Sequence, residues 1–456
     1  MTKLNYIRVL AALLVSALAV SPATEAAVQG ITGPSFDLSA KAGYVSVADG
    51  GSIYSWGYAD EAAGTAMQLP GPTLIVTEGV PVTVPLHNNL PKAAGNVSMV
   101  FMGQQVSATG GVTGALTSEA VNGGTVTYTF TPGKPGTYQY HSGTRSDLQV
   151  EMGLYGAMIV RPASVPASCV AMYSDAYASG AAYNHPDACF DREFLFVTSS
   201  IDYQLHKSVE QQSTGAGPII LPPDAFESSE YWLLNGRVGP DTMAVDGTDT
   251  LPHQPYGSLA HMHPGEKILM RVVGGGREMH PFHHHGNHAR VLARDGNMIV
   301  NSANRLAGPR VFTIASMPGT TTDAIFEWTG KDMGWDIYGH TAGDGTTCTP
   351  DANGYNTAVG PGAANYMEYC ADHTKPLPVT LPSFNNMAFG GFFSGSPYLG
   401  DVNSTLPPGE GGLNPGYGFG FMWHSHTERE LVNNDVFQGG LMTMMIVEAP
   451  FVAIAE

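Results

Sequence analysis

Histidine is concentrated in one short stretch of this chain. Five of the 16 histidines lie within residues 280–288, at His280, His283, His284, His285 and His288. A neutral imidazole is the commonest protein ligand for copper, zinc and iron. A single histidine is more often a hydrogen-bonded core or surface residue, and a buried imidazole without a partner costs about 1–3 kcal/mol. It is the clustering, therefore, that indicates a metal site.

The elements on either side of this stretch must position it. Residues 267–273 and 290–294 have the composition of β-strands. In an extended segment, side chains alternate between the two faces, so His283 and His285 point the same way and His284 points the opposite way. The first two can hold one metal ion or two adjacent ions. His284 and His288 are predicted to be surface residues or groups that support the ligands.

A second pair, His424 and His426, repeats the His-x-His spacing after a run rich in glycine and aromatic residues at 416–423. A third pair, His261 and His263, precedes Pro264 at the start of a strand and is a weaker candidate. Two strong pairs make metal binding the leading hypothesis.

Composition favours β structure and excludes some partners. The 456 residues include 56 glycines and 32 prolines, and only 13% are charged, which suits turn-rich β-sheets better than helices. A formal net charge of −19 argues against nucleic acid and against anionic membrane surfaces. We therefore predict an all-β protein that binds no nucleic acid.

The first 27 residues resemble a secretory signal peptide. Lys3 and Arg8 supply the positive start, and residues 9–20 form the apolar centre. No later run approaches the roughly 20 apolar residues that a membrane span requires. We expect a periplasmic or extracellular protein.

Four cysteines fit an oxidising compartment. Their spacing favours two local bridges, Cys169 to Cys189 and Cys348 to Cys370, although four cysteines allow three pairings. None lies beside a histidine pair, so a cysteine ligand is not expected at the metal site.

Strand and turn signals divide the rest of the chain. Short strands separated by Gly/Pro turns predict a first β-sandwich at 28–165, in which the prolines near Val82 suggest an edge strand. Residues 166–190 are predicted to be a linker and 191–456 a second sandwich. Its irregular insertion, at about 330–415, is long enough to be a lid or a wall.

With these motifs in view, the chain resembles the multicopper oxidases, the laccase-like family of cupredoxin-fold proteins, in a two-domain bacterial form. The likeness covers most of the mature chain. It is carried by Pro70-Gly-Pro-Thr73, by Gly136-Thr-Tyr-Gln-Tyr-His141, by His280-Pro-Phe-His283-His-His285-Gly and by His424-Ser-His426. The resemblance implies two cupredoxin-like Greek-key β-sandwich domains, copper as the cofactor, and a reductant and dioxygen as substrates.

The resemblance also implies a set of ligands. Active members hold a trinuclear copper cluster with eight histidines, and five of those positions are histidine here. His283 matches a ligand of the single copper of the cluster, while His141, His285, His424 and His426 match ligands of the copper pair. The first motif of the family aligns with Val100–Gly103, where Met102 remains as a soft thioether ligand.

The mononuclear copper that receives electrons is altered more strongly. His280 matches one of its histidines, but Ser425 stands at the thiolate position and Glu430 at the second histidine. A hydroxyl group cannot replace the thiolate of a blue copper site. Glu430 and Asp435 are candidate oxygen ligands or catalytic proton carriers.

Three functions follow from this altered set. The first is a secreted copper oxidoreductase with a remodelled histidine-rich centre between domains, which oxidises a metal ion or small reductant with dioxygen as a candidate acceptor. The second is a non-catalytic protein for copper binding, buffering or delivery, and the third is a purely structural use of the scaffold. Resemblance to two-domain members suggests a homotrimer with the site between subunits; the alternative is a site within one chain.

Overall fold

The structure is a computed structural model and describes residues 28–172, 180–334, 336, 338–376 and 418–454. The predicted signal peptide and much of the predicted insertion lie outside these residues. Within them, the structure contains no helix of sufficient length and apolarity to span a membrane.

The strands fall into two groups along the chain. The first twelve are β1 Ile31–Thr32, β2 Leu38–Ser46, β3 Ser52–Asp60, β4 Gly71–Thr77, β5 Val82–Asn88, β6 Val100–Phe101, β7 Ser107–Gly110, β8 Val112–Thr113, β9 Ser118–Glu119, β10 Thr125–Phe130, β11 Gly136–His141 and β12 Tyr155–Arg161. The others are β13 Gly180–Ala181, β14 Cys189–Phe190, β15 Arg192–Ile201, β16 Tyr231–Leu234, β17 Ala260–Met262, β18 Lys267–Gly274, β19 His280–His284, β20 Ala289–Arg294, β21 Asn297–Met298, β22 Arg310–Val311, β23 Thr313–Ser316, β24 Thr321–Glu327, β25 Gly418–Ser425, β26 Val432–Asn433, β27 Val436–Phe437 and β28 Met442–Glu448. The α-helices are α1 Ser146–Gln149 and α2 Tyr203–Ser213, and short 3-10 helices cover Lys92–Ala94, Pro186–Ala188, Asp241–Met243, Cys370–Asp372 and Glu428–Leu431.

Strands β1 to β12 build what we call the N-terminal sandwich. One five-stranded sheet has the order β1-β4-β12-β11-β6 and the other the order β3-β2-β5-β10-β7. Alternating strand residues bury large aromatic side chains between the sheets, including Trp56, Tyr58 and Tyr128, each fully enclosed.

Strands β15 to β28 build the C-terminal sandwich. A nine-stranded sheet runs β21-β20-β24-β18-β15-β16-β26-β27, with β22 paired to β20, and a five-stranded sheet runs β17-β28-β25-β19-β23. Phe196, Phe282, Phe326 and Trp423 fill the space between them. The predicted all-β fold of cupredoxin-like sandwiches is confirmed.

Two local expectations differ from the structure. Strand β5 lies third in its sheet rather than at an edge. Pro85 is paired with Thr127 of β10, whereas β2 pairs with β5 only at Leu86 to Asn88, so the β2 side of the strand is open at the proline. The sequence analysis also did not predict α2, whose N-cap is Asp202 and whose apolar face packs on the N-terminal sandwich.

The two sandwiches are joined by a shared apolar cluster and by polar contacts from one strand. Tyr155 and Ile159 of β12 pack with Val197 of β15 in this cluster. On the outward face of β11, the Thr137 hydroxyl donates to Asp323 at 2.6 Å, and the Gln139 amide donates to the Gly274 carbonyl at 2.9 Å. This face therefore lies on the C-terminal sandwich.

Both expected disulfides form. Cys169 pairs with Cys189, and Cys348 pairs with Cys370. These are all four cysteines of the sequence, so none remains as a thiolate ligand.

Candidate metal centre

Pairing of β19 with β25 brings the two strong histidine pairs together. The strands are antiparallel, and His283 lies directly opposite His424. His426 follows one strand end, where its backbone N–H donates to the Pro281 carbonyl at 2.9 Å. Histidines that are far apart in sequence thus become neighbours on one face of the sheet.

The imidazoles of this face form a compact cluster. In the part of the chain that the structure describes, ligand atoms of His283, His285 and His424 lie within 4.8 Å of one another. The Nε2 atoms of His285 and His424 are 3.2 Å apart, and the ring centres of His283 and His426 are 4.8 Å apart. We refer to His283, His285, His424 and His426 as the histidine cluster.

Burial keeps the inner imidazoles neutral. Burial, followed by the charge of His424, lowers the pKa of His285 to about 3, and burial lowers the pKa of His424 to about 4. Burial also lowers the pKa of His283, and a charge on His426 lowers it further. A metal ligand must be deprotonated, so these groups are ready to bind at neutral pH.

Hydrogen bonds leave ring nitrogens available. Nδ1 of His424 lies 2.6 Å from the Ser425 carbonyl and so carries the proton, which leaves a lone pair on Nε2 that faces Nε2 of His285. Nδ1 of His283 is 2.9 Å from the Thr313 hydroxyl, and the buried Nδ1 of His285 has no hydrogen-bond partner. Two facing imidazole Nε2 atoms with an unpartnered ring nitrogen nearby fit a transition metal that binds nitrogen ligands.

The opposite face of β19 carries a different group. Side-chain alternation places His280 with Phe282, inside the sandwich. His280 is fully buried, and its Nδ1 lies 2.9 Å from a carboxylate oxygen of Glu430. Ser425 is fully buried on the strand opposite Phe282. The three residues that align with the family's mononuclear site therefore lie on the core side, with a carboxylate and a hydroxyl in place of imidazole and thiolate.

The N-terminal sandwich carries two of the predicted ligands, His141 and Met102. His141 ends β11 and is half-buried, and alternation puts it on the same outward face as Gln139. Its Nδ1 lies 2.9 Å from the Ser142 carbonyl, the arrangement that His424 makes with Ser425. Met102 follows β6 and is half-buried. His141 does not belong to the group of converging His, Cys, Asp and Glu ligand atoms found among the described residues.

The remaining candidates have other surroundings. Asp435 is exposed and pairs with Arg429, whereas His284 points into the core against Phe326 and Trp423 rather than to the surface. His288 is exposed. His261 lies 3.2 Å from Glu448.

Sequence reasoning missed residues that orient the cluster. Thr313 contacts His283 from β23, and the Trp423 indole donates to the His285 carbonyl at 3.1 Å. Neither position carries a signal in the sequence, because both act through strand pairing of distant segments. A second converging group, with two carboxylates and two histidines, was also missed.

Comparison with known proteins agrees with this fold. A family model described as multicopper oxidase matches residues 51–165. The blue copper oxidase from Nitrosomonas europaea is 16% identical, with a TM-score of 0.50 over 90% of this chain and 85% of that one. The multicopper oxidase mgLAC is 15% identical, with a TM-score of 0.50 over 92% and 87%. No curated protein matches the chain in sequence.

The fold is of the cupredoxin type, and the histidine cluster is a candidate metal site within it. Residues 51–165 match the multicopper oxidase family model, and the chain shares its fold with solved multicopper oxidases. Copper is the metal that this family implies, and the neutral imidazoles of the cluster fit it.

Proposed function

We propose that the protein is a secreted copper oxidoreductase that works without a blue copper site. It oxidises a metal ion or small reductant directly at the histidine cluster and passes the electrons to dioxygen. One dioxygen takes up four electrons and four protons to give two waters, so four one-electron oxidations of the reductant balance the reaction.

One observation carries this proposal. The imidazoles of the cluster converge and are held neutral, while both disulfides use up the chain's cysteines. Copper bound at the cluster would supply one-electron redox chemistry. The protein's residues supply a partly open nitrogen donor set, since His426 is exposed whereas His424 is 8% exposed.

Glu430 is proposed to act through His280. Its carboxylate lies 2.9 Å from Nδ1 of His280 and is 8% exposed. This position suits a proton carrier or an oxygen ligand for a metal in the core. Asp435 is proposed as an exposed proton carrier near the strand end, where it is paired with Arg429.

The N-terminal sandwich is proposed to complete the centre in a homotrimer. In both His141 and His424, Nδ1 donates to the next residue's carbonyl, so Nε2 is the nitrogen with the lone pair that a metal would take. Because His141 is outside the converging group of one chain, we propose that a second copy supplies it, together with Met102 as a soft ligand for Cu(I).

The disulfides support an extracytoplasmic location, because oxidising compartments maintain such bonds. We propose the periplasm or the exterior of the cell, with residues 1–27 as the signal peptide.

A non-catalytic role in copper binding, buffering or delivery is the second candidate, and the missing thiolate favours it. Oxygen uptake by the copper-loaded protein, tested with metal-ion and organic reductants, separates the two. Turnover supports the oxidoreductase, and bound copper without turnover supports the binding protein.

The lost relay site can be tested by rebuilding it. The copper-loaded protein should show no intense blue absorption, and the double variant Ser425→Cys with Glu430→His should gain it, because His280 is already in place. Intense blue colour in the unmodified protein would contradict the proposal.

A further inference from the structure

A second group of metal-ligating side chains lies in the irregular segment that follows β24. The ligand atoms of Asp336, His340, Glu368 and His373 lie within 4.8 Å of one another. The group shares no residue with the histidine cluster. Loops position it, aided by the 3-10 helix Cys370–Asp372.

The distances suit four-coordinate geometry. Nδ1 of His340 is 3.2 Å from Oδ2 of Asp336 and 3.2 Å from Oε1 of Glu368. Nδ1 of His373 is 3.9 Å from the same Asp336 oxygen and 2.5 Å from the same Glu368 oxygen. A tetrahedral ion with bonds of 2.0–2.1 Å separates its ligands by about 3.3 Å. The same four atoms, one from each side chain, serve in every contact; the two His340 distances match this spacing, and the two His373 distances lie on either side of it.

Burial and hydrogen bonding direct these atoms inward. The side chains of Asp336 and Glu368 are 1% and 2% exposed, and Oε2 of Glu368 is buried without a hydrogen-bond partner. Nε2 of His373 lies 3.2 Å from the Thr346 carbonyl, so it carries the proton and turns the Nδ1 lone pair toward the carboxylates. In the metal-free protein a proton on Nδ1 satisfies this contact, and a bound metal ion would take its place.

Backbone groups hold one of the carboxylates in place. Oδ1 of Asp336 accepts from the Tyr338 N–H at 2.8 Å, and Oδ2 accepts from the Thr374 N–H at 2.7 Å. The Tyr338 ring stacks on His340. Such outer contacts are typical of the groups that orient metal ligands.

We propose that Asp336, His340, Glu368 and His373 form a closed structural site for Zn²⁺. Two carboxylates and two neutral imidazoles match the charge of one divalent ion. Tetrahedral nitrogen and oxygen ligands suit zinc, whereas calcium and magnesium prefer six or more oxygen ligands. Because all four positions are protein ligands, the ion leaves no open position for a substrate.

The ion would brace the insertion together with a disulfide. The Cys348–Cys370 bridge lies beside the site, since Cys370 is two residues from Glu368 and three from His373. Tyr338 and Met333 pack against the core of the C-terminal sandwich. The site thereby fixes the segment against the sandwich, and this role does not depend on copper chemistry.

The test uses the full-length chain with His424→Ala, which weakens the histidine cluster so that zinc there does not confuse the count. After removal of metals and loading with Zn²⁺, elemental analysis should find about one zinc per chain. Adding His340→Gln should weaken zinc binding more than about 100-fold, because removal of a ligand exceeds the effect of an outer contact. The matched control is His87→Gln, which disrupts an exposed contact of 2.8 Å to Asp37 and should leave zinc binding unchanged.

Zinc that is absent from the His424→Ala protein, or bound equally well after His340→Gln, would overturn the proposal. If the double variant does not fold, Co²⁺ in the His424→Ala protein is the second readout. Strong visible bands of tetrahedral Co²⁺ are expected, and the weak bands of an octahedral ion, or none, would overturn the site. Copper content of the chain without His424→Ala is measured separately and reports only on the histidine cluster.

Discussion

The histidine cluster and the insertion site hold their imidazoles in opposite electrostatic surroundings. In the cluster, burial and neighbouring imidazoles lower the pKa of His285 to about 3. In the insertion, hydrogen bonds that His340 donates to Asp336 and Glu368 raise its pKa to about 10. The first region is a neutral nitrogen donor set built on strand ends, and the second is a charge-balanced group built on loops. We propose that the same residue type supports a redox metal in one place and a structural ion in the other.

Removing one imidazole of the histidine cluster should have the largest effect. His424→Ala deletes the central ligand opposite His283, and we expect copper affinity and oxygen uptake to fall more than about 100-fold. Metal analysis and an oxygen electrode measure both. His288→Ala, at an exposed histidine of the same stretch, is the control and should retain copper; equal loss in the two variants would contradict the account.

Metal-free protein should lose stability in opposite pH directions for the two regions. The pKa of His424 is lowered to about 4, so as pH falls from 6.5 the unfolded chain binds a proton at this residue before the folded chain does. His424 therefore contributes a loss of folding stability between about pH 6.5 and 4, of at most about 3 kcal/mol. The raised pKa of His340 gives stability that is present below 6.5 and lost as pH rises through about 10. Denaturant titrations across this range measure both limbs.

Single variants should separate the acid and the alkaline loss of folding stability. His424→Gln should reduce only the acid loss of stability, to which His284 and His285 also contribute, and His340→Gln should reduce only the alkaline loss. Identical pH profiles for the two variants would show that the contrast between the regions is wrong.

Loosening an orienting contact should have a smaller effect. Thr313→Val keeps the strand residue shape but removes the hydroxyl 2.9 Å from Nδ1 of His283. We expect copper affinity to fall about 10-fold, as for other groups that orient a metal ligand. Copper titration with a competing chelator measures the change, and Thr320→Val, at a hydroxyl bound to the Met317 carbonyl, should leave affinity unchanged.

The smallest effect is expected at Asp435. Its side chain is 69% exposed and paired with an exposed arginine, so Asp435→Asn should change the free energy of unfolding by less than about 1 kcal/mol. As a proton carrier on the surface, it should slow oxygen uptake only modestly, whereas Glu430→Gln, beside buried His280, should slow it more. The reverse order would assign the proton role to Asp435.

The strands and the faces of the histidine cluster were predictable because they depend on local alternation. Residues 267–273 and 290–294 carried strand patterns. Because side chains alternate along a strand, the side chains of His283 and His284 were expected on opposite faces of the sheet. The insertion site was not predictable, because Asp336 and His373 meet only after irregular loops fold back on each other. Helix α2 was missed for a related reason: its apolar face of Leu205 and Val209 is short and is stabilised by the N-terminal sandwich.

The central claim is that imidazoles, without a thiolate, hold copper in this protein. X-ray absorption at the copper edge of the copper-loaded full-length chain tests it most directly. The account predicts a first shell of nitrogen and oxygen at about 2.0 Å with the outer scattering of imidazole rings, reduced by His424→Ala. A sulfur scatterer at the distance of a copper–thiolate bond, or a spectrum unchanged by His424→Ala, would contradict it.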